Sequence, residues 1–300
     1  LLWITKRDYY KWKKDDKDYM EISLNKVSCI SVNEERKLNN VTCTFKSGNI
    51  TFISGISGRI LRDLLIGKKG KSSGSIEISP AGTIKDIGYL SNSPLKEFKT
   101  KTVYEEMNYL GDLYNLNYED RNKKMYDALK LVELNDGYLR RSFNTLSTTE
   151  MKRVQLALIL FYNPKLYIFD YFEKGFNYKD IDYLKKVLRK LKGNYDKNII
   201  IVSDDISYFL DTLDEYIIFH KGKVAVSGDK KDLYNEDLYK YIKCPKIISF
   251  IKMVKDKDIN LSNYLDINEL IKGIYRSVEG KWDIKQRLVM MVIRIMAFKD

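Results

Sequence analysis

The chain of 300 residues holds no apolar run as long as the roughly 18 residues that a membrane-spanning helix needs. The longest candidate, 288–298, is short and carries Arg294, so the chain is not expected to cross a bilayer on its own. A secretory signal is not expected either, because Leu1-Leu2-Trp3-Ile4 runs straight into charged residues. Cysteine is scarce: Cys29, Cys43 and Cys244 have neither metal-ligand nor redox spacing and read as buried thiols of a reducing compartment. Histidine occurs once, as His220 in Phe219-His220-Lys221-Gly222-Lys223, where a turn residue is a better reading than a catalyst. The chain has no arginine-rich cluster. Its 53 basic and 41 acidic residues give a net charge of +12, but the lysines are interspersed with Asp and Glu throughout, so nucleic acid is not expected as a partner. Internal repeats and low-complexity tracts are also missing.

What is present is ordinary for a globular protein. Hydrophobic residues make up 44% and charged residues 31%, and the length allows one large or two small domains with an ample core. The 23 tyrosines are spread over all segments, which favours packing over base stacking. Residues 1–19 are aromatic and charged without a clear period and read as an extension. The fold-like pattern starts at Met20, and since the chain opens on Leu1, a fragment or an over-extended reading frame is expected.

From Met20 onward, apolar runs split by polar turns predict strands through Ile53, with Lys46-Ser47-Gly48 as one turn. Gly55 and Gly58 follow, and Ile60, Leu61, Leu64 and Leu65 then have helical spacing, so a strand, a glycine turn and a helix frame a phosphate-binding loop. Short strands are predicted over 76–92 and helices over about 99–140. In 146–170, a polar turn leads into a helix with Lys152, Arg153 and Gln155 as its wet face. Pro164 closes the connection, and Leu166-Tyr167-Ile168-Phe169 reads as a strand buried on both faces of a parallel sheet. Asp170 ends that strand, at the sheet edge where open α/β proteins bind ligands. Helices over 181–191 and 206–213, a strand over 198–202, a hairpin about Lys221-Gly222 and a helical tail over 232–300 complete the pattern.

In this order the pieces resemble one complete nucleotide-binding domain of the ABC ATPases over 20–233. Residues 48–55 are similar to the strand leading into Walker A, and 146–170 to the stretch from signature through Walker B. Arg141-Ser142-Phe143-Asn144-Thr145-Leu146-Ser147 and the tail from Pro245 are similar to the energy-coupling-factor (ECF) branch, whose ATPases power bacterial uptake of vitamins and metal ions. The resemblance implies an α/β fold of the P-loop NTPase type. It would comprise an antiparallel β lobe, a helical subdomain over about 95–150 and a helical extension over 234–300. It further implies ATP and Mg²⁺ as ligands, a second ABC ATPase as heterodimer partner, a polytopic membrane coupling subunit, and a peripheral place on the cytoplasmic face of the cell membrane.

Carried over position by position, the resemblance assigns nucleotide contacts to Gly55, Ser57, Gly58, Arg59 and Asn92, the signature to Ser147, Thr148, Thr149 and Glu150, and magnesium to Asp170. The chemistry at these positions is altered. The Gly-Lys-Ser/Thr that should close Walker A is missing, so the loop reads as about two residues short. The trio Gly70-Lys71-Ser72 has no glycine five residues before it and reads as a turn. The adenine-stacking aromatic expected near Cys29-Ile30-Ser31 is absent, Asn92 replaces the Q-loop glutamine, and Asn177 replaces the D-loop aspartate. Tyr171 stands where the catalytic glutamate should be, and a phenol that ionises near pH 10 is no base at neutrality. Asp204 replaces the switch histidine and would repel a phosphate. Two threonines replace the signature glycines, blocking close backbone approach, and Glu150 adds negative charge at a helix start. The expectation is an ABC fold with little or no hydrolysis of its own. The alternative is a non-catalytic scaffold without a transport role.

Overall fold

A computed structural model describes residues 20–29, 37–79, 86–256, 261–277 and 282–297. The extension over 1–19 and the Ile30-Ser31 pair lie outside the described residues. In chain order the strands are β1 (Glu21–Cys29), β2 (Leu38–Phe45), β3 (Ile50–Ser54), β4 (Ser73–Ser79), β5 (Ile87–Leu90), β6 (Leu166–Asp170), β7 (Asn198–Val202), β8 (Glu215–His220) and β9 (Lys223–Asp229). The helices are α1 (Ile56–Leu65), α2 (Val103–Leu113), α3 (Tyr118–Leu131), α4 (Thr148–Tyr162), α5 (Tyr178–Tyr195), α6 (Lys246–Lys255), α7 (Ile267–Ser277) and α8 (Trp282–Ala297).

The central sheet runs β5-β6-β7-β3-β8-β9. Its first five strands are parallel, and β9 pairs with β8 in antiparallel fashion through the turn at Lys221-Gly222, both in the left-handed region. β3, β6 and β7 are buried along their whole length, as their continuous apolar sequences require of strands covered on both faces. Alternate residues take opposite sides. Leu166, Ile168, Ile200 and Val202 pack under α1 and the antiparallel sheet β2-β1-β4, with Ile22, Leu24, Phe45, Leu61 and Leu64. Tyr167, Phe169, Ile199 and Ile201 face the other way, into a core shared with α4, α5, the helical subdomain and the tail. Asn198 ties the two sheets together, its Nδ2 donating to the Met20 carbonyl at 3.1 Å and the Phe45 carbonyl at 3.0 Å.

Helix boundaries follow local chemistry. Thr102 and Glu105 form a capping box at the start of α2, Ser147 and Glu150 one at α4, and Asn177 and Asp180 one at α5. α4 ends on Asn163 in the left-handed region, and Pro164 prevents its continuation. The tail is three helices whose buried residues, including Ile248, Ile251, Leu270, Ile274, Leu288 and Val292, belong to the same core as the sheet.

Three expectations need correction. Lys152 and Gln155 do not lie on a wet face: Lys152 is 0% exposed and Gln155 is buried beside it, because α4 passes through the core with apolar neighbours on nearly every side. The segment 206–213 is a short 3₁₀ turn over Ile206–Tyr208 followed by turns, not a helix. Among the cysteines only Cys29 is fully buried. The Gly70-Lys71-Ser72 trio lies in the loop between α1 and β4, with the Lys71 ammonium donating to the Gly74 carbonyl at 2.6 Å.

Candidate functional site

The carboxyl ends of β3, β6 and β7 lie side by side, which brings Gly55, Asp170-Tyr171 and Asp204 to one edge of the sheet. β3 ends on Ser54 and α1 begins at Ile56, so Gly55 is the whole connection. Its φ of 95° is closed to most residues, and a Cβ there would stand 2.5 Å from the Phe219 carbonyl oxygen. Gly58 is likewise needed for packing, since a Cβ would stand 2.7 Å from the Ile53 side chain. Ser57 is buried and donates its hydroxyl to the Lys37 carbonyl at 3.0 Å. Both glycines and this serine therefore hold α1 against β3, β8 and the segment leading into β2.

One turn further along α1, two arginines three residues apart share a helix face. Arg62 donates from Nη1 to Asp170 Oδ2 at 2.5 Å, and from Nε and Nη2 to Asp63 at 3.0 and 2.8 Å. Tyr89, on neighbouring β5, also donates to Asp170 Oδ2, at 2.8 Å. Asp170 is 6% exposed, and its Oδ1 is buried without a hydrogen-bond partner. Burial, and then the adjacent Asp170 carboxylate, push the Tyr89 phenol well above its ordinary value.

Arg59 lies over the Tyr171 ring, 4.5 Å from its centroid, and donates from Nε to the phenol oxygen at 3.0 Å. That phenol donates to Asp204 Oδ1 at 2.7 Å, and Arg59 Nη2 reaches Asp204 Oδ2 at 3.5 Å. Burial and the bond to Asp204 raise the Tyr171 phenol well above its ordinary value, so it remains a donor. Tyr171 has a φ of 49°, an uncommon backbone state for a bulky residue, fixed by its N–H donating to the Val202 carbonyl at 2.8 Å. Arg59, Tyr171 and Asp204 thus bond to one another.

Asn92 is exposed and accepts from Lys152 Nζ at 3.1 Å. Lys152 also donates to the Phe172 carbonyl at 2.8 Å and to the Lys174 carbonyl. Burial lowers the Lys152 ammonium to about 8, partly opposed by Glu173. Glu173 is itself buried and accepts from the Ser203 hydroxyl at 2.6 Å. At the start of α4, Ser147 caps the helix and Glu150 accepts from Tyr138 at 2.5 Å, Arg141 at 2.9 Å and the Ser147 N–H at 2.8 Å. The Tyr138 and Ser147 bonds hold the Glu150 carboxyl at about 2. Thr148 is exposed and Thr149 half-buried beside it.

Sequence reasoning named Arg59, Asp170, Tyr171 and Asp204 but missed Arg62, Tyr89, Lys152 and Glu173. The i, i+3 spacing of Arg59 and Arg62 was the available signal for one of them. His220 is exposed at the end of β8, 5.4 Å from the Tyr241 ring, as the last strand residue before the Lys221-Gly222 turn.

Strand order, the glycine turn into α1 and the aspartate ending β6 define an α/β nucleotide-binding core of the P-loop NTPase type. Residues 38–171 match the ABC transporter family model, and the fold is that of an ABC-type ATP-binding domain. The chain is 26% identical over 249 residues to the energy-coupling factor transporter ATP-binding protein EcfA2 of Mycoplasma capricolum, covering 77% of this chain and 86% of that protein. It is 26% identical over 238 residues to EcfA1 of Mycoplasmopsis synoviae, covering 76% of this chain and 88% of that protein. Among solved structures, cbiO1 from Clostridium perfringens, part of the ABC transporter complex cbiONQ, is similar at a TM-score of 0.64 and 20% identity, covering 77% of this chain and 98% of that one.

Proposed function

We propose that this chain is the ATP-binding subunit of an ABC transporter of the energy-coupling-factor type, with hydrolysis at its own site impaired or absent. A second ABC ATPase and a polytopic membrane coupling subunit are its partners, and it sits peripherally on the cytoplasmic face of the membrane. The observation that carries this reading is the extent of the likeness to the ECF proteins, which runs through most of both chains. No helix among the described residues is long and apolar enough to cross a membrane, which fits a subunit that depends on a partner for its place there.

Four features support the loss of hydrolysis. Gly55 alone spans the gap in which a phosphate loop would present several backbone N–H groups. Tyr171 offers a donor where a base is needed, and Asp204 brings negative charge to the phosphate side. Thr148 and Thr149 carry a Cβ where the signature brings bare backbone to the partner's nucleotide. Of the residues assigned to nucleotide, Arg59 and Asn92 keep groups exposed enough to meet one.

Co-expression with a neighbouring second ATPase and polytopic subunit, followed by purification through this chain, is expected to yield a stoichiometric complex; a lone soluble monomer sinks the transport reading. The second reading, a scaffold that retains the ABC fold, is favoured by the mutual pairing of Arg59, Arg62, Asp170, Tyr171 and Asp204, which joins these side chains without a ligand, Asp170 Oδ1 excepted. No binding at millimolar ATP would select it.

A further inference from the structure

Magnesium is the cation that this type of domain implies, and the atoms around Asp170 decide whether they suit it. The ion takes a near-octahedral set of oxygens at roughly 2.0–2.1 Å and keeps several waters. Asp170 Oδ1 is the one feature in favour, since it is buried and unpartnered. Everything else opposes it. Oδ2 is already taken by the Arg62 guanidinium and the Tyr89 hydroxyl. The α1 position that should supply a second oxygen is the buried Ile60, and the Ser57 hydroxyl is bonded to Lys37. A dication on Oδ1 would sit beside a guanidinium that Asp63 holds in place from its other side. These residues do not fit the metal.

We infer that the Arg62 guanidinium stands in the place of the divalent cation, so that Asp170 is not a metal ligand and nucleotide binding by this chain has no divalent-cation requirement. The inference rests on the ATP-binding reading above only for its second half. Arg62 neutralises the Walker B carboxylate from within the chain. Arg59, three residues earlier on the same face, is 46% exposed, and by giving up its 3.0 Å bond to the Tyr171 phenol and its 3.5 Å contact with Asp204 it could turn toward a triphosphate. The charge that a transporter ATPase imports with its nucleotide is here built into α1.

Manganese, an oxygen-seeking ion with its own electron paramagnetic resonance signal, is the probe for the first half and needs no nucleotide. The wild-type chain is expected to leave manganese free, whereas uptake that Asp170→Asn removes overturns the inference. Arg62→Gln uncovers Oδ2 and should gain manganese uptake that the added Asp170→Asn change abolishes. An Arg62→Gln protein as indifferent to manganese as wild type also overturns it. Calorimetric titration with ATP tests the second half. Dissociation constants in magnesium and in EDTA should agree within about twofold, and a tenfold or greater weakening in EDTA contradicts it. Absence of binding under both conditions sinks the ATP-binding reading and with it this second half, while manganese still decides the role of Arg62.

Discussion

A lysine with no exposed surface is the most consequential single residue outside the Asp170 cluster. Lys152 joins the Asn92 amide to the carbonyls of Phe172 and Lys174, and so fixes the segment after β5 to the segment after β6. Its ammonium titrates at about 8 in the folded chain against an ordinary 10.5, because burial disfavours the charge. Between those values the unfolded chain binds more protons, so Lys152 makes stability rise as pH rises from about 8 to 10.5. Urea melts across that window should show the rise in wild type and its loss in Lys152→Met. At neutral pH the same variant leaves two carbonyls without their donor and should lose about 1–3 kcal/mol. Tyr171→Phe should cost about 1 kcal/mol in the same melts, since it removes the hydroxyl that links Arg59 to Asp204. Asp170, Tyr171 and Asp204 were legible in the sequence because each lies at or just past the end of a strand identifiable by its apolar run. Arg62 and Tyr89 were not, since their meeting at Asp170 depends on β5 lying next to β6, a matter of sheet order rather than local pattern.

At the scale of elements, α4 combines both kinds of information. Its start is written locally: Ser147 and Glu150 form a capping box, with Tyr138 and Arg141 completing the shell of the carboxylate. Glu150→Ala should lower stability by about 1 kcal/mol at neutral pH. Because the folded carboxyl titrates at about 2 rather than 4.5, its contribution is full above 4.5 and fades as pH falls toward 2, where wild type and variant should converge in thermal melts. Glu150 therefore serves the local fold. The helix interior was not legible: apolar residues dominate the whole sequence of α4, and only its passage between sheet, helical subdomain and α5 explains why Lys152 and Gln155 are buried as well. Over 206–213 the apolar spacing suited a helix, but the chain makes one 3₁₀ turn that buries Ile206, Phe209, Leu210 and Leu213 instead.

For the whole molecule, the order of elements reports the architecture, because apolar periodicity and turn residues specify the layers independently of the site. The tail belongs to that architecture. Ile274 and Val292 are buried in the same core as β6 and α4, so Ile274→Ala should cost about 2–5 kcal/mol and lower the melting of the entire chain in one transition. The central claim is the proposed loss of hydrolysis, with internal ion pairs and a phenol in the place of hydrolytic chemistry on an ABC-type fold. Phosphate release from ATP by the purified chain in magnesium, followed alongside Asp170→Ala, tests it most directly. Release from wild type should equal that of the variant and of buffer, and magnesium-dependent turnover that disappears in Asp170→Ala would contradict it.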